Sequence, residues 1–143
     1  MTLGSLITAI AEKAKQQKVI NSSAAGTDIY TYFANTIKDY PTLFAAPTGQ
    51  HIVAENTTTF SITLYYFDRL LNDSSNELDI LSVAVEQLKN LVRWIMDIDG
   101  VVEVEQTYQI TNFVETEALQ DRCCGAYTTL RITVINETIC PVL

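Results

Sequence analysis

Hydrophobic and polar positions follow two successive patterns between Asn56 and Ile95. In the first pattern apolar and polar side chains alternate along the chain. One side of the pleat carries Phe60, Ile62, Leu64 and Tyr66, and the other carries Thr59, Ser61, Thr63 and Tyr65. A period of two residues is typical of a half-buried strand. We therefore expect a long strand with one face in the core.

A polar corner and a helical pattern follow this strand. The corner runs from Asn72 to Asn76, and short polar side chains of this kind hydrogen-bond their own backbone. Ser74 and Glu77 have the spacing of a capping box, which predicts that a helix begins there. Apolar residues then recur at steps of three and four, at Leu78, Leu81, Val85, Leu88, Val92 and Ile95. The pattern predicts an amphipathic helix of about five turns that packs on the sheet containing the preceding strand.

Further elements are predicted before the long strand. Helical spacing indicates a helix over residues 3–17, with Thr2 or Ser5 as its cap. Its apolar side carries Leu3, Leu6, Ile7, Ile10, Ala11 and Ala14. Similar spacing suggests a short second helix over residues 28–38, and short strands are suggested over residues 18–21 and 42–46. A loop is expected from Pro47 to about Glu55.

Two strands are predicted after the long helix. The first covers residues 101–113, with Val102, Val104, Tyr108 and Ile110 on one side and Glu103, Glu105, Thr107 and Gln109 on the other. After an irregular stretch over residues 114–125, the second covers residues 126–135, with Thr128, Leu130, Ile132 and Val134 on one side. Successive strands favour antiparallel pairing. We therefore expect an α+β fold, a two-layer sandwich in which the long helix covers one face of a mostly antiparallel sheet.

Length and composition indicate one folded domain over residues 1–143, because 48% of the residues are hydrophobic and 18% are charged. We expect neither a signal peptide nor a membrane-spanning helix. The net charge of −8 argues against affinity for nucleic acid through a positive surface. A negative surface would instead let DNA pass without binding it.

Candidate chemistry is sparse, and we expect no catalytic, cofactor or metal site. A single histidine in a loop, His51, is more often a surface residue than a base. Cys123, Cys124 and Cys140 lack the spacing of zinc ligands, so we expect Cys123 and Cys124 to be small buried or half-buried thiols at a strand entrance, in a protein made in a reducing cytoplasm. The carboxylate pairs Glu103/Glu105 and Glu115/Glu117 are typical of a solvated strand face, although either pair could hold a cation or share a proton. Asp68 and Arg69 are interpreted as a structural or subunit-contact pair.

Several stretches together resemble a known family. They are Phe44-Ala45-Ala46-Pro47-Thr48-Gly49, Phe60-Ser61-Ile62-Thr63-Leu64-Tyr65-Tyr66-Phe67-Asp68-Arg69-Leu70, then Asp73, Asn76 and Leu78-Asp79-Ile80-Leu81, and finally Cys124-Gly125-Ala126-Tyr127. The chain from about residue 40 to 135 resembles the small neck or ring proteins of tailed phages that infect Bacteroidetes, including crAss-like phages. These proteins have a tail-terminator-like, head-tail connector fold. The family has no catalytic residues, and the N-terminal third departs from its pattern.

This resemblance implies a structural virion protein, made in the host cytoplasm, that forms a homo-oligomeric ring. Its partners would be the portal and other neck and tail proteins, with double-stranded DNA passing through the ring without sequence-specific binding and with no membrane contact. The predicted channel lining is acidic and consists of Glu103, Glu105, Glu115, Glu117 and Asp121. The predicted subunit or partner contacts are Phe44, Pro47, Gly49, His51, Asp68, Arg69 and Phe113, with Tyr30 and Tyr40 as further aromatic anchors. The alternative for each of the four aromatic residues is an ordinary core position. The alternative is a small cytosolic dimeric domain that binds an apolar ligand, or an enzyme of unrecognised type.

Overall fold

The structure is a computed structural model, and it describes residues 1–17, 19–20, 22–27, 40–71, 73–115 and 122–136. Within these residues the fold is α+β, with two helices and a mixed seven-stranded sheet. The helices are α1 (Leu3–Lys15) and α2 (Glu77–Ile95). The strands are β1 (Ser22–Ala25), β2 (Thr42–Pro47), β3 (Ile52–Val53), β4 (Thr57–Arg69), β5 (Val101–Val104), β6 (Ile110–Glu115) and β7 (Cys123–Ile135).

The sheet is built around the pairing of β4 with β7, which runs antiparallel from Thr57 opposite Ile135 to Arg69 opposite Cys123. On the far side of β4 lie β2 and β3, and on the far side of β7 lie β5 and β6. β1 pairs with β2 in parallel, whereas the other described pairs are antiparallel. The sheet is therefore mixed.

The main core lies between the helices and one face of the sheet, which we call the helix face. β4 contributes Phe60, Ile62, Leu64 and Tyr66 to this core, as the period-two pattern predicts. β7 contributes Ala126, Leu130, Ile132 and Val134, and α1 contributes Leu6, Ile7, Ile10 and Ala14. α1 also begins as predicted, since the Ser5 N–H donates to Oγ1 of Thr2 at 3.1 Å. Burial of these side chains is the largest favourable contribution to folding that the structure shows.

The predicted apolar stripe of α2 is partly wrong. The buried positions are Ile80, Ala84, Leu88, Leu91, Val92 and Ile95, whereas Leu78 is 76% exposed. Apolar residues cover a wide arc of this helix, and the sheet contacts the edge of the arc that contains Ile80 and Leu91. Leu81 and Val85 lie at the border and are half-buried.

The predicted capping box at Ser74 and Glu77 is also wrong. Ser74 has a φ of 57°, and its hydroxyl accepts a hydrogen bond from Nη2 of Arg122 at 3.1 Å rather than one from the helix. Asn76 is the residue before the helix. Its amide joins the helix start to the end of β4, donating to the Arg69 carbonyl at 3.1 Å and accepting from the Leu71 N–H at 2.9 Å.

Strand boundaries differ from the prediction in three places. The first described strand is β1, which begins at Ser22; of the strand suggested over residues 18–21, residues 19–20 are not in a strand and residues 18 and 21 lie outside the described residues. The predicted single strand over residues 101–113 is two strands, and a bulge in the first leaves Val102 48% exposed instead of sharing a face with Val104. The last strand begins three residues earlier than predicted, at Cys123. The helix suggested over residues 28–38 lies outside the described residues.

Candidate functional site

The sheet face opposite the helix face is polar along much of its length, and we call it the second face. Hydroxyl groups pair across β4 and β7 here, Thr59 with Thr133 and Thr63 with Thr129, each at 2.9 Å. Cross-strand hydroxyl pairs of this kind stabilise a sheet without requiring an apolar cover. Sequence alternation predicted the polar character of this face but not the pairing.

An aromatic cluster lies at one end of the second face. Phe113 contacts the rings of Tyr65 and Tyr127 at centroid distances of 6.3 and 6.2 Å, and Phe67 at 6.5 Å. Phe113 was predicted as a partner contact, and it is half-buried in this cluster. Tyr40 contacts Phe67 edge to face at 6.1 Å.

Phe44 was also predicted as a partner contact, and its position corrects that prediction. It is 1% exposed, packs with Ala46, Phe67 and Cys123, and lies beside Tyr65 of the aromatic cluster at a centroid distance of 6.4 Å. Residues at alternate positions of β2 face opposite sides, and both sides are buried at Phe44 and its neighbours. Phe44 is therefore a core residue, while Tyr30 lies outside the described residues.

Of the predicted contact residues, Pro47 ends β2, and Gly49 and His51 lie in the turn between β2 and β3. Gly49 has a φ of 65°, a conformation that favours glycine. His51 is exposed, accepts a hydrogen bond at Nδ1 from the Ser61 N–H at 3.4 Å, and contacts the Phe60 ring edge-on at 5.2 Å. This turn is therefore held against β4.

The predicted loop from Pro47 to Glu55 contains a strand that the sequence reading missed. β3 pairs with the start of β4, and the Ala54 N–H donates to the Thr57 carbonyl at 2.8 Å to close the hairpin. Ile52 and Val53 are 54% and 75% exposed. The sequence signal for this strand was the pair of adjacent β-branched residues before Ala54. The structure thus places two exposed apolar side chains on a hairpin at the sheet margin.

This hairpin is fixed to the end of β7 by Asn136. The Asn136 amide donates to the carbonyls of Ala54 and Glu55 at 3.0 and 3.3 Å, and its backbone N–H donates to the Asn56 carbonyl at 2.9 Å. Thr58 also donates its hydroxyl hydrogen to the Asn136 side chain. The exposed apolar side chains of β3 are therefore presented by an ordered hairpin.

Asp68 and Arg69 lie at the end of β4. The Asp68 carboxylate accepts a hydrogen bond from the Arg69 backbone N–H at 2.7 Å, and Arg69 is exposed. This geometry shows a local turn contact between the two residues. The role of Asp68 and Arg69 in subunit contact stays a prediction.

Of the predicted acidic lining, the structure places Glu103 and Glu105 together. Both are exposed, and they pair opposite Thr133 and Arg131 on the second face. The Glu105 carboxylate accepts a hydrogen bond from the Arg131 backbone N–H at 3.1 Å. Glu115 ends β6, and its side chain, like Glu117 and Asp121, lies outside the described residues.

An open depression of about 460 Å³ separates the β2–β3 turn from this acidic edge. It is lined by Thr48, Gly49, Gln50, Ser61, Glu105, Thr129, Leu130 and Arg131. The fold thus brings together Gly49, predicted at a contact, and Glu105, predicted at a channel. Hydroxyl, amide and charged groups dominate the lining.

The two described cysteines are buried, as predicted. The Cys123 thiol donates to the Tyr40 hydroxyl at 3.3 Å. Cys124 packs with Leu70 and Ile80, where burial, with a smaller effect of the Glu77 carboxylate, raises the pKa of its thiol to about 11. Burial also raises the pKa of Tyr66 far above its ordinary value. Neutral thiols in such surroundings are poor nucleophiles.

The described residues contain no group of three or more His, Cys, Asp or Glu side chains placed to bind a metal ion. In the same part of the chain, neither helix combines the length and apolar character needed to cross a bilayer. Comparison with known proteins also found no match, either to a family model or to a curated protein sequence.

Proposed function

We propose that this chain is a structural virion protein, a ring-forming subunit of the head-tail neck of a tailed phage, with no catalytic activity. The observation that carries the proposal is the hairpin of β3, which holds Ile52 and Val53 largely exposed at a sheet margin. Exposed apolar side chains on an ordered strand are typical of a surface that meets a partner.

A two-layer architecture is part of this proposal. Both helices pack on one face of the sheet, and we interpret this arrangement as the two-layer, tail-terminator-like sandwich expected from the resemblance. In a ring of such subunits, heterologous contacts repeat around an axis and close when the rotation between neighbours fits. The partners proposed above and below the ring are the portal and other neck and tail proteins of the virion.

The second proposed role is to keep the DNA path open. Glu103 and Glu105 give the second face two exposed carboxylates at one margin. Carboxylates repel phosphate groups, so DNA would pass such a lining without being held. Glu115, Glu117 and Asp121 are proposed for the same lining on sequence alone.

The proposal is tested by assembly and by DNA retention. Size-exclusion chromatography with light scattering should show large oligomers of the wild-type chain. The double variant Glu103→Lys/Glu105→Lys should keep its circular dichroism spectrum and make the assembled protein retain double-stranded DNA on a filter. The control Glu12→Lys/Glu86→Lys makes the same charge change on the helices and should not cause retention. Equal retention by both variants would contradict the channel lining.

A dimeric ligand-binding domain is the second candidate, and the depression beside Glu105 is the observation that favours it. Its lining, which includes Gln50 and Arg131, suits a small polar ligand better than the apolar ligand expected from the sequence. A compact dimer of fixed mass at all concentrations would favour this candidate over the ring.

A further inference from the structure

β6 is an outer strand that lacks the usual protection against further pairing. It pairs with β7 without a register shift, from Ile110 opposite Thr128 to Glu115 opposite Cys123, and no described strand lies on its other side. Proteins usually protect outer strands by keeping them short, by a bulge, or with lysine or proline. β3 has two residues and β5 contains a bulge, whereas β6 has six residues, is regular and contains neither lysine nor proline.

The direction of the β7 backbone groups is known from its contact with the end of β5. The Arg131 carbonyl accepts a hydrogen bond from the Glu105 N–H at 2.9 Å, so the backbone groups of Arg131 point toward the margin that carries β5 and β6. β7 pairs with β4 along its whole length without a register shift, and in such a strand these groups change sides at each residue. Tyr127 and Gly125, an even number of residues earlier, therefore direct their N–H and C=O groups toward β6.

The register transfers this alternation to β6. Thr111 and Phe113 lie opposite Tyr127 and Gly125, so their backbone groups bond to β7. The intervening residues direct their N–H and C=O groups away from the sheet; they are Ile110, Asn112 and Val114. Asn112 and Val114 are also exposed. The outer side of β6 thus presents three donors and three acceptors in the spacing that an added strand requires.

Apolar side chains border this outer side on the helix face. Val114 is 48% exposed and lies opposite Cys124, which packs with Ile80 in the first turn of α2. Leu81 packs against the same cluster, and Leu78, one turn earlier on that side of the helix, is 76% exposed. An added strand would direct every second side chain toward this surface. A matching segment therefore has apolar residues at alternate positions.

Charge selects the other half of that segment. Residues 97–115 contain five acidic residues and no basic one, namely Asp97, Asp99, Glu103, Glu105 and Glu115. This charge attracts a basic segment to the margin. A second copy of the chain carries the same acidic margin, so pairing of β6 with itself would bring like charges together. Glu103 and Glu105 lie level with Thr133 and Arg131, beyond the stretch of β7 that β6 covers, so a strand beside β6 leaves both uncovered.

We propose that the outer side of β6 binds an extended segment of another protein, in which apolar and basic residues alternate, as an additional strand of the sheet. The backbone groups of Ile110, Asn112 and Val114 hold the segment, and its apolar side chains pack beside Val114 and α2. This pairing requires only the edge of β6 and no ring, so it goes beyond the proposed function.

Fluorescence anisotropy with a labelled synthetic peptide tests the pairing. Lysine and valine alternate in this peptide, which is somewhat longer than the six residues of β6. It should bind the wild-type chain saturably. Asn112→Pro removes one outward N–H at a position where an outer strand tolerates proline, and it should weaken binding about tenfold or more, because the peptide carbonyl loses its donor. Equal affinity of this variant and the wild type would overturn the proposal.

The matched control is Asn112→Ala, which removes the same side chain but keeps the N–H. It should bind the peptide within about twofold of the wild type. Both variants leave the acidic residues unchanged, so attraction of lysine to the acidic chain as a whole would not distinguish them. Equal loss of binding in both variants would overturn strand addition in favour of a side-chain contact. Circular dichroism checks that both variants fold.

Hydrogen exchange of the wild-type chain tests the proposal without any variant. Mass spectrometry with residue-level fragmentation should show slower exchange at Ile110, Asn112 and Val114 when the peptide is added. Unchanged exchange at these three amides under saturating peptide would overturn the proposal. Protection of the same amides that rises with protein concentration, without peptide, would overturn it in favour of a second copy. A peptide with glutamate in place of lysine should bind more weakly, and equal affinity would contradict the basic character of the partner.

Discussion

The backbone of Gly125 lies so close to Tyr66 that a Cβ at position 125 would come within 1.8 Å of the Tyr66 carbonyl oxygen. The same Cβ would lie 2.7 Å from Cα of Phe67. These atoms belong to the paired backbones of β4 and β7, which cannot separate locally without breaking the centre of the sheet. Only glycine fits this position without a shift.

We expect Gly125→Ala to reduce the free energy of unfolding by about 3 kcal/mol or more, because the backbone must move to admit a methyl group. Urea unfolding followed by circular dichroism measures the change. The control is Gly4→Ala in α1, where nothing lies within 4 Å of the added Cβ. Since alanine is the better helix former, that control should not lower stability, and an equal loss in both variants would contradict the close approach.

Alanine substitutions at Ile80 and Leu78 test which side of α2 is buried. Ile80 is 6% exposed and packs with Leu70 and Cys124, whereas Leu78 is 76% exposed. Ile80→Ala should cost about 2–4 kcal/mol of stability through lost burial and a residual cavity. Leu78→Ala should change stability by less than about 0.5 kcal/mol. A larger loss of stability for Leu78→Ala than for Ile80→Ala in chemical denaturation would contradict this structure and favour the buried stripe expected from the sequence.

The buried thiol of Cys124 and hydroxyl of Tyr66 predict loss of stability in alkali. Burial raises the pKa of the Cys124 thiol from 9.0 to about 11 and also raises the pKa of Tyr66, so the folded state favours both neutral forms. Their contribution is fully present below the unfolded values of 9.0 and 10.0 and is lost as the pH rises through the folded values.

We therefore expect the urea midpoint to fall between about pH 9 and about pH 11. Cys124→Ala removes the thiol, so its midpoint should fall less over this range than that of the wild type. Tyr66→Phe removes the hydroxyl and should weaken the fall that continues above the range. Identical pH profiles for wild type and both variants would show that neither group is linked to folding.

Periodicity predicted the elements that bury one face against a single partner surface. The alternation in β4 and β7 and the spacing in α1 each identified the buried face correctly, because a single partner surface selects it. The apolar residues of α2 fit two overlapping helical stripes. Whether Leu78 or Ile80 is buried depends on how the helix packs on the sheet. Local spacing contains no information about that position.

The features missed from sequence arise from contacts between distant segments. Val102 is exposed because a bulge opposite Val134 inserts one residue into β5, which shifts the alternation on which the single-strand prediction relied. β3 forms because the start of β4 and Asn136 hold it. Phe44 is buried against Phe67 and Cys123, partners that lie more than twenty residues away in the chain.

Negative-stain imaging of the purified wild-type chain, with light scattering for its mass, tests the central claim most directly. We expect closed rings of one copy number. A compact dimer whose mass does not change with protein concentration would contradict the ring.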